Sequence, residues 1–115
     1  MNDIIDLLTF DALVDAVGED FIEELLQAYY EETPELLAAL QQALANLDFE
    51  TFTRAAHSIK STSNSFGAFQ FGEKAKELEM MGRVKNLGGA QDKVAKLAQD
   101  YPQVRLSLEG LAHGK

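Results

Sequence analysis

His57 is the residue of this sequence whose type and neighbours best suit chemistry. On a helical wheel of residues 51–66, apolar side chains recur at i, i+3, i+4 and i+7, and His57 lies outside that stripe. Lys60, Ser61 and Asn64 share its face, so an imidazole stands beside an ammonium and small polar groups. A neutral imidazole is nucleophilic near pH 7. These residues by themselves favour an exposed histidine with no chemical role over a functional one.

The rest of the sequence lacks the patterns of other common sites. It has no cysteine, which excludes disulfides, thiol catalysis and thiolate zinc sites. Neither His57 nor His113 has Asp or Glu at metal-ligand spacing, so we predict no metal. No glycine-rich loop is followed by Lys-Ser or Lys-Thr, which argues against a nucleotide site. We therefore expect no cofactor, and no enzyme with a catalytic pocket of its own.

Charge is divided unevenly along the 115 residues, whose formal net charge is −9. Residues 1–53 contain no Lys or Arg, and every basic side chain follows from Arg54 onward. The acidic balance argues against a nucleic-acid partner. No apolar run approaches the roughly 18 residues of a membrane span, and the N-terminus lacks the positive start of a signal peptide. We expect a cytoplasmic protein whose basic second half is where an anion is tolerated.

The hydrophobic periodicity predicts an all-α protein, because β-branched residues never alternate as in a strand. The first predicted elements are one or two short helices over Ile4–Val17, ended by Gly18. A long helix follows from an N-cap at Asp20 and continues with a kink through Pro34. Two further helices are predicted over Thr51–Phe66 and Phe69–Met81, and a last helix begins at Ala90. Four amphipathic helices with short connections indicate an antiparallel, up-down-up-down four-helix bundle with one or two extra N-terminal helices. We expect one domain over residues 1–115, with a core at about 3–111 and a frayed tail at 112–115.

The string Ala56–Ala68, AHSIKSTSNSFGA, resembles the signature of histidine phosphotransfer (HPt) domains. In that signature Ala-His-x-Leu-Lys-Gly is followed by small residues and then Gly-Ala. Downstream, Leu78–Arg83 is similar to the family's Leu-Glu-x-x-Gly-Arg segment, and the resemblance covers roughly residues 3–111. Ser61 departs from the pattern, because the family has glycine at that position.

The resemblance implies that His57 accepts a phosphoryl group from a receiver-domain aspartyl phosphate and relays or returns it in a two-component phosphorelay. It implies that Lys60 stabilises the phosphohistidine and that Glu79 accepts a hydrogen bond from the ring N–H. The other candidate site residues are Ser61 and Asn64, which share the helical face of His57, and the motif glycine Gly67. The expected partners are response-regulator receiver domains or a hybrid sensor histidine kinase, with Mg²⁺ on the receiver and a monomeric carrier.

Two alternatives stay open at this point. A docking bundle that kept the fold and lost phosphotransfer would explain Ser61, whereas His57 and Lys60 on one exposed face favour the carrier. The chain is also compatible with an HPt segment of a larger sensor kinase, in which the same chemistry serves an intramolecular relay.

Overall fold

The computed structural model describes residues 3–113, which form five α-helices and no strand. The helices are α1 (Leu7–Val17), α2 (Glu19–Asn46), α3 (Phe49–Ser65), α4 (Phe69–Arg83) and α5 (Ala90–His113). Helices α2 to α5 pack in a ring in chain order, with α5 closing back onto α2, and α1 lies against α2 and α3. The short connections make neighbouring helices antiparallel. The predicted all-α four-helix bundle is confirmed, with a single extra helix at its N-terminus.

The core is built from the apolar stripes of all five helices. Its largest fully buried apolar side chains are Ile5, Phe10, Leu40, Phe52, Ile59, Leu78, Val94, Leu97 and Leu108. The buried stripe of α3 leaves His57 on the opposite, exposed side of that helix. Within residues 3–113, every helix is too short or too polar to cross a bilayer.

The start of α2 differs from the prediction of an N-cap at Asp20. The helix begins at Glu19, and Gly18 both ends α1 and precedes α2, with φ 91° and ψ 154°. This one-residue turn leaves no room for a separate cap, so Asp20 lies in the first turn of the helix. Its carboxylate there still favours the helix electrostatically. The prediction that α2 continues through Pro34 is confirmed.

Three other helix ends lie beyond their predicted bounds. Helix α3 begins at Phe49 because the Asp48 side chain accepts a hydrogen bond from the Thr51 N–H at 3.2 Å and acts as the N-cap. Helix α4 continues to Arg83. Helix α5 continues to His113, into the tail predicted at 112–115, because Leu111 and Ala112 pack against the core. Residues 114–115 of that tail lie outside the described part of the chain.

Gly67 lies in the turn between α3 and α4 and contacts the backbone at the start of α1. Its φ is 88°, and its carbonyl accepts a hydrogen bond from the Asp6 N–H at 2.9 Å. A Cβ at this position would lie only 2.7 Å from the Asp6 carbonyl oxygen. The predicted motif glycine is therefore required by backbone conformation and by the close approach of a second backbone segment.

Replacing Gly67 with alanine is expected to lower the free energy of unfolding by about 2–4 kcal/mol, from left-handed strain and a backbone clash together. The matched control is Gly89→Ala, because Gly89 has φ 83° and nothing within 4 Å of the added Cβ. That control should lose only about 1 kcal/mol, the cost of the strain by itself. Urea unfolding of the three proteins measures the difference. Equal losses in the two variants would show that the contact with Asp6 is unimportant.

Candidate functional site

Helices α3 and α4 approach closely because two glycines of α4 face α3. A Cβ on Gly72 would lie 2.0 Å from Asn64 Oδ1, and a Cβ on Gly82 would lie 2.2 Å from Thr53 Oγ1. A side chain at either position would therefore displace the Asn64 or Thr53 side chain that packs against the glycine. The close approach brings His57 of α3 next to Glu79 of α4, 22 residues later in the chain.

The Glu79 carboxylate is the centre of the site and binds three nitrogen-bearing side chains. His57 Nδ1 lies 2.9 Å from Oε2, and Lys60 Nζ lies 2.8 Å from Oε1. Arg83 donates to Oε2 from Nη2 at 2.6 Å and from Nε at 3.2 Å. Only 3 % of the Glu79 side chain is exposed. A buried carboxylate of this kind is tolerated because each of its oxygens has a cationic donor.

These contacts determine the ionisation of Glu79. Burial by itself raises the pKa of the carboxyl, but hydrogen bonds from Lys60, Arg83 and His57 outweigh it and lower the pKa to about 2. The group is therefore an anion at neutral pH and can only accept hydrogen bonds. It follows that His57 Nδ1 carries the ring proton and donates a hydrogen bond to the Glu79 carboxylate.

The other ring nitrogen of His57, Nε2, is then left with its lone pair in the neutral imidazole. The side chain of His57 is 53 % exposed, in contrast with the buried Glu79 beneath it. The site therefore presents a nucleophile of defined tautomer on the surface, with an anion below it and two cations beside that anion.

The depressed pKa of Glu79 predicts a dependence of stability on pH. The pKa falls from its ordinary value of 4.5 to about 2 on folding, so the anion stabilises the fold above pH 4.5, and this contribution is lost as the pH falls towards 2. We expect about 3 kcal/mol of the unfolding free energy to disappear over this window in the wild type but not in Glu79→Gln. Urea unfolding between pH 2 and pH 6 measures it, with Glu77→Gln, an exposed carboxyl on the same helix, as the control. Parallel pH profiles for the wild type and Glu79→Gln would contradict the assignment.

The structure places the remaining predicted site residues at increasing distance along α3. Lys60 is half-buried and turned to Glu79, whereas Ser61 is exposed one turn after His57. Asn64 is half-buried against Gly72, and its side chain occupies the space that this glycine leaves. Gly67 lies in the turn beyond the end of α3. The structure thus brings His57, Lys60 and Glu79 into one contact network, while the contacts of Asn64 and Gly67 lie elsewhere.

The role of Arg83 was missed at the level of sequence. Arg83 belongs to the motif segment on α4, yet its partner is the same carboxylate that binds His57. The spacing of Glu79 and Arg83, four residues apart on one helix, is the signal that indicates such a pair.

Among residues 3–113, no group of three or more histidine, aspartate or glutamate side chains is arranged to hold a metal ion.

Comparisons with known proteins agree with this architecture. The family model of the Hpt domain matches residues 24–113. The crystal structure of histidine-containing phosphotransfer protein B (HptB) from Pseudomonas aeruginosa PAO1 superposes with a TM-score of 0.90 at 24 % sequence identity, covering 100 % of this chain and 99 % of that one. No curated protein sequence matches the chain. The structural likeness shows the fold, and the family model spans most of the chain. This protein therefore belongs to the Hpt domain family and has a histidine phosphotransfer role in a phosphorelay.

Proposed function

We propose that His57 Nε2 is the phosphoryl acceptor, taking the group from an aspartyl phosphate of a receiver domain and relaying or returning it. The observation that carries this proposal is the contact between His57 Nδ1 and the buried Glu79 carboxylate at 2.9 Å. That contact fixes the proton on Nδ1 and leaves Nε2 as the nucleophile on an exposed surface.

In the proposed step, the Nε2 lone pair attacks phosphorus, an N–P bond forms, and the P–O bond to the receiver aspartate breaks. The aspartate leaves as a carboxylate, so no proton has to be transferred. The ring gains positive charge, which Glu79 stabilises from below through the Nδ1–H hydrogen bond. The reverse step returns the phosphoryl group by the same geometry.

Lys60 contributes positive charge beside the phosphohistidine. Its ammonium is held by Glu79 Oε1 at 2.8 Å, and its side chain is 25 % exposed. A cation positioned in this way stabilises the dianionic phosphoryl group and the charge that develops during transfer. Ser61 lies one turn further on the exposed face, and its small side chain leaves space for the receiver to approach.

The carrier presents a nucleophile and relies on its partner for the remaining machinery. Phosphoryl transfer depends mainly on positioning and charge stabilisation, so a single oriented imidazole is sufficient on this side. We propose that the carrier needs no cofactor, with Mg²⁺ bound by the receiver, and that it is a phosphocarrier rather than an enzyme. We further propose that it works as a cytoplasmic monomer between receiver domains and a hybrid sensor kinase.

Phosphoryl transfer from a panel of receiver domains charged with labelled phosphate tests the proposed function. We expect at least one donor to label the protein, with label that is lost in acid and retained in alkali, as expected for a phosphoramidate. A control HPt domain that accepts label in the same assay shows that the donors are active. Failure of every donor to label this chain, with the control labelled, would refute the carrier function.

Replacing Lys60 with alanine is expected to slow transfer and shorten the phosphohistidine lifetime, each by about three- to tenfold, because one cation beside the phosphoryl group is removed. Glu79 keeps its contacts with His57 and Arg83 in this variant. Lys96→Ala, which removes a lysine paired with Asp100 on α5, is the control. An unchanged lifetime together with an unchanged transfer rate would remove Lys60 from the mechanism.

A further inference from the structure

A groove with a volume of about 560 Å³ opens beside His57, between the start of α3 and the end of α4. Thr53 and Gly82, which lie where the two helices meet, both line this groove. His57 lies at its edge, so a protein that reaches His57 also covers this groove.

The groove is lined by cations, although the protein as a whole is acidic. The charged side chains that line it or contact the His57 network are Arg54, Lys60, Arg83 and Lys85 on the positive side, and Glu50 and Glu79 on the negative side. This local excess of positive charge contrasts with the net charge of −9. A negatively charged ligand is therefore attracted to the groove, whereas the acidic remainder of the surface repels it.

Lys85 is the cation of the groove with no carboxylate partner among residues 3–113. Arg54 pairs with Glu50 at 3.2 Å, and Arg83 is bound to Glu79. Lys85 has φ 58°, and its N–H bonds the Gly82 carbonyl at 3.1 Å. This left-handed backbone conformation turns the chain after α4, and Lys85 itself lines the groove. Its ammonium is available for an ion pair with a partner.

We propose that this basic groove binds an acidic segment of the docking receiver domain, and that Lys85 is a residue that determines which receivers are accepted. This inference rests on the proposed function of His57. The receiver must bring its phosphoaspartate to Nε2, so the surface around that aspartate lies over the groove. Receivers with a carboxylate there gain an ion pair, and receivers with a lysine or arginine there are repelled.

The test compares Lys85→Gln and Lys85→Glu with Lys93→Gln, using the receiver that transfers fastest in the panel. Lys93 is exposed and pairs with Glu77 at 3.1 Å on the α4–α5 side, so its replacement removes the same charge away from the groove. At low salt we expect KM to rise about three- to fivefold in Lys85→Gln and about tenfold in Lys85→Glu, with kcat nearly unchanged. The difference should shrink at high salt because the charges are exposed. Lys93→Gln should resemble the wild type.

Reversing the charge of the facing receiver carboxylate should restore the KM of Lys85→Glu, a result that a purely structural role of Lys85 would not produce. Equal KM values for Lys85→Gln and Lys93→Gln would overturn the proposal. The proposal would also be overturned if the wild-type carrier dimerises and Lys85→Gln abolishes the dimer while receiver binding is unchanged. That result would assign the groove to a second copy of the chain. If no receiver transfers its phosphoryl group, the Kd of receiver binding tests the groove separately from the acceptor role of His57. If no receiver binds the carrier, the proposal that the groove binds a receiver domain is refuted.

Discussion

Replacement of His57 by glutamine is expected to abolish phosphorylation completely, with little change in helicity or stability. An amide has no nucleophilic lone pair on nitrogen, although it can still donate a hydrogen bond to Glu79. The position is exposed, so we expect the free energy of unfolding to change by no more than about 0.5 kcal/mol. Incorporation of labelled phosphate measures the first effect, and thermal unfolding followed by circular dichroism measures the second.

The matched control is His113→Gln, because His113 is the other histidine of the chain and is exposed at the end of α5. This variant should accept label at the wild-type rate. Acid-labile label on His57→Gln would place the acceptor elsewhere. Loss of label together with loss of helicity would leave the acceptor role unsupported by this variant, and phosphopeptide mapping of the labelled wild type would then decide it.

Replacement of Glu79 by alanine is expected to have the second largest effect, a fall in transfer rate of about 10- to 100-fold. The variant loses the acceptor that fixes the proton on His57 Nδ1 and the anion that stabilises the charged ring. Lys60 and Arg83 also lose their shared partner and can turn away from the site. Transfer from a charged receiver, followed under single-turnover conditions, measures the rate.

Glu79→Gln separates the two contributions of this residue. The amide oxygen can still accept the Nδ1–H hydrogen bond, but it carries no charge to stabilise the ring, so we expect a smaller loss than in Glu79→Ala. Glu77→Ala is the control, because Glu77 is an exposed carboxylate on the same helix that pairs with Lys93. Rates within twofold of wild type for Glu79→Ala, measured where the variant remains helical, would exclude Glu79 from the transfer step.

The fold and the exposed position of His57 are predictable because they depend on periodicity within single helices. The apolar spacing in α3 determines which side chains face the core, and it leaves His57 on the other side whatever the helix packs against. The ordered motif around His57 likewise identifies the family, which the match over residues 24–113 shows. The end of α1 at Gly18 was predicted, whereas the start of α2 at Glu19 was not, because it depends on how the two helices meet.

The electrostatic arrangement of the site was decided only by the tertiary structure. Periodicity places Glu79 and Gly82 at the edge of the α4 stripe, but it does not determine the distance between α3 and α4. That distance depends on glycines that let the helices touch, and it brings Glu79 under His57 with its carboxylate buried. A buried anion then gathers Lys60 and Arg83, because an uncompensated charge is costly away from water. The sequence by itself therefore determined which residue is presented, and the packing of two helices decided its tautomer and the charges around it.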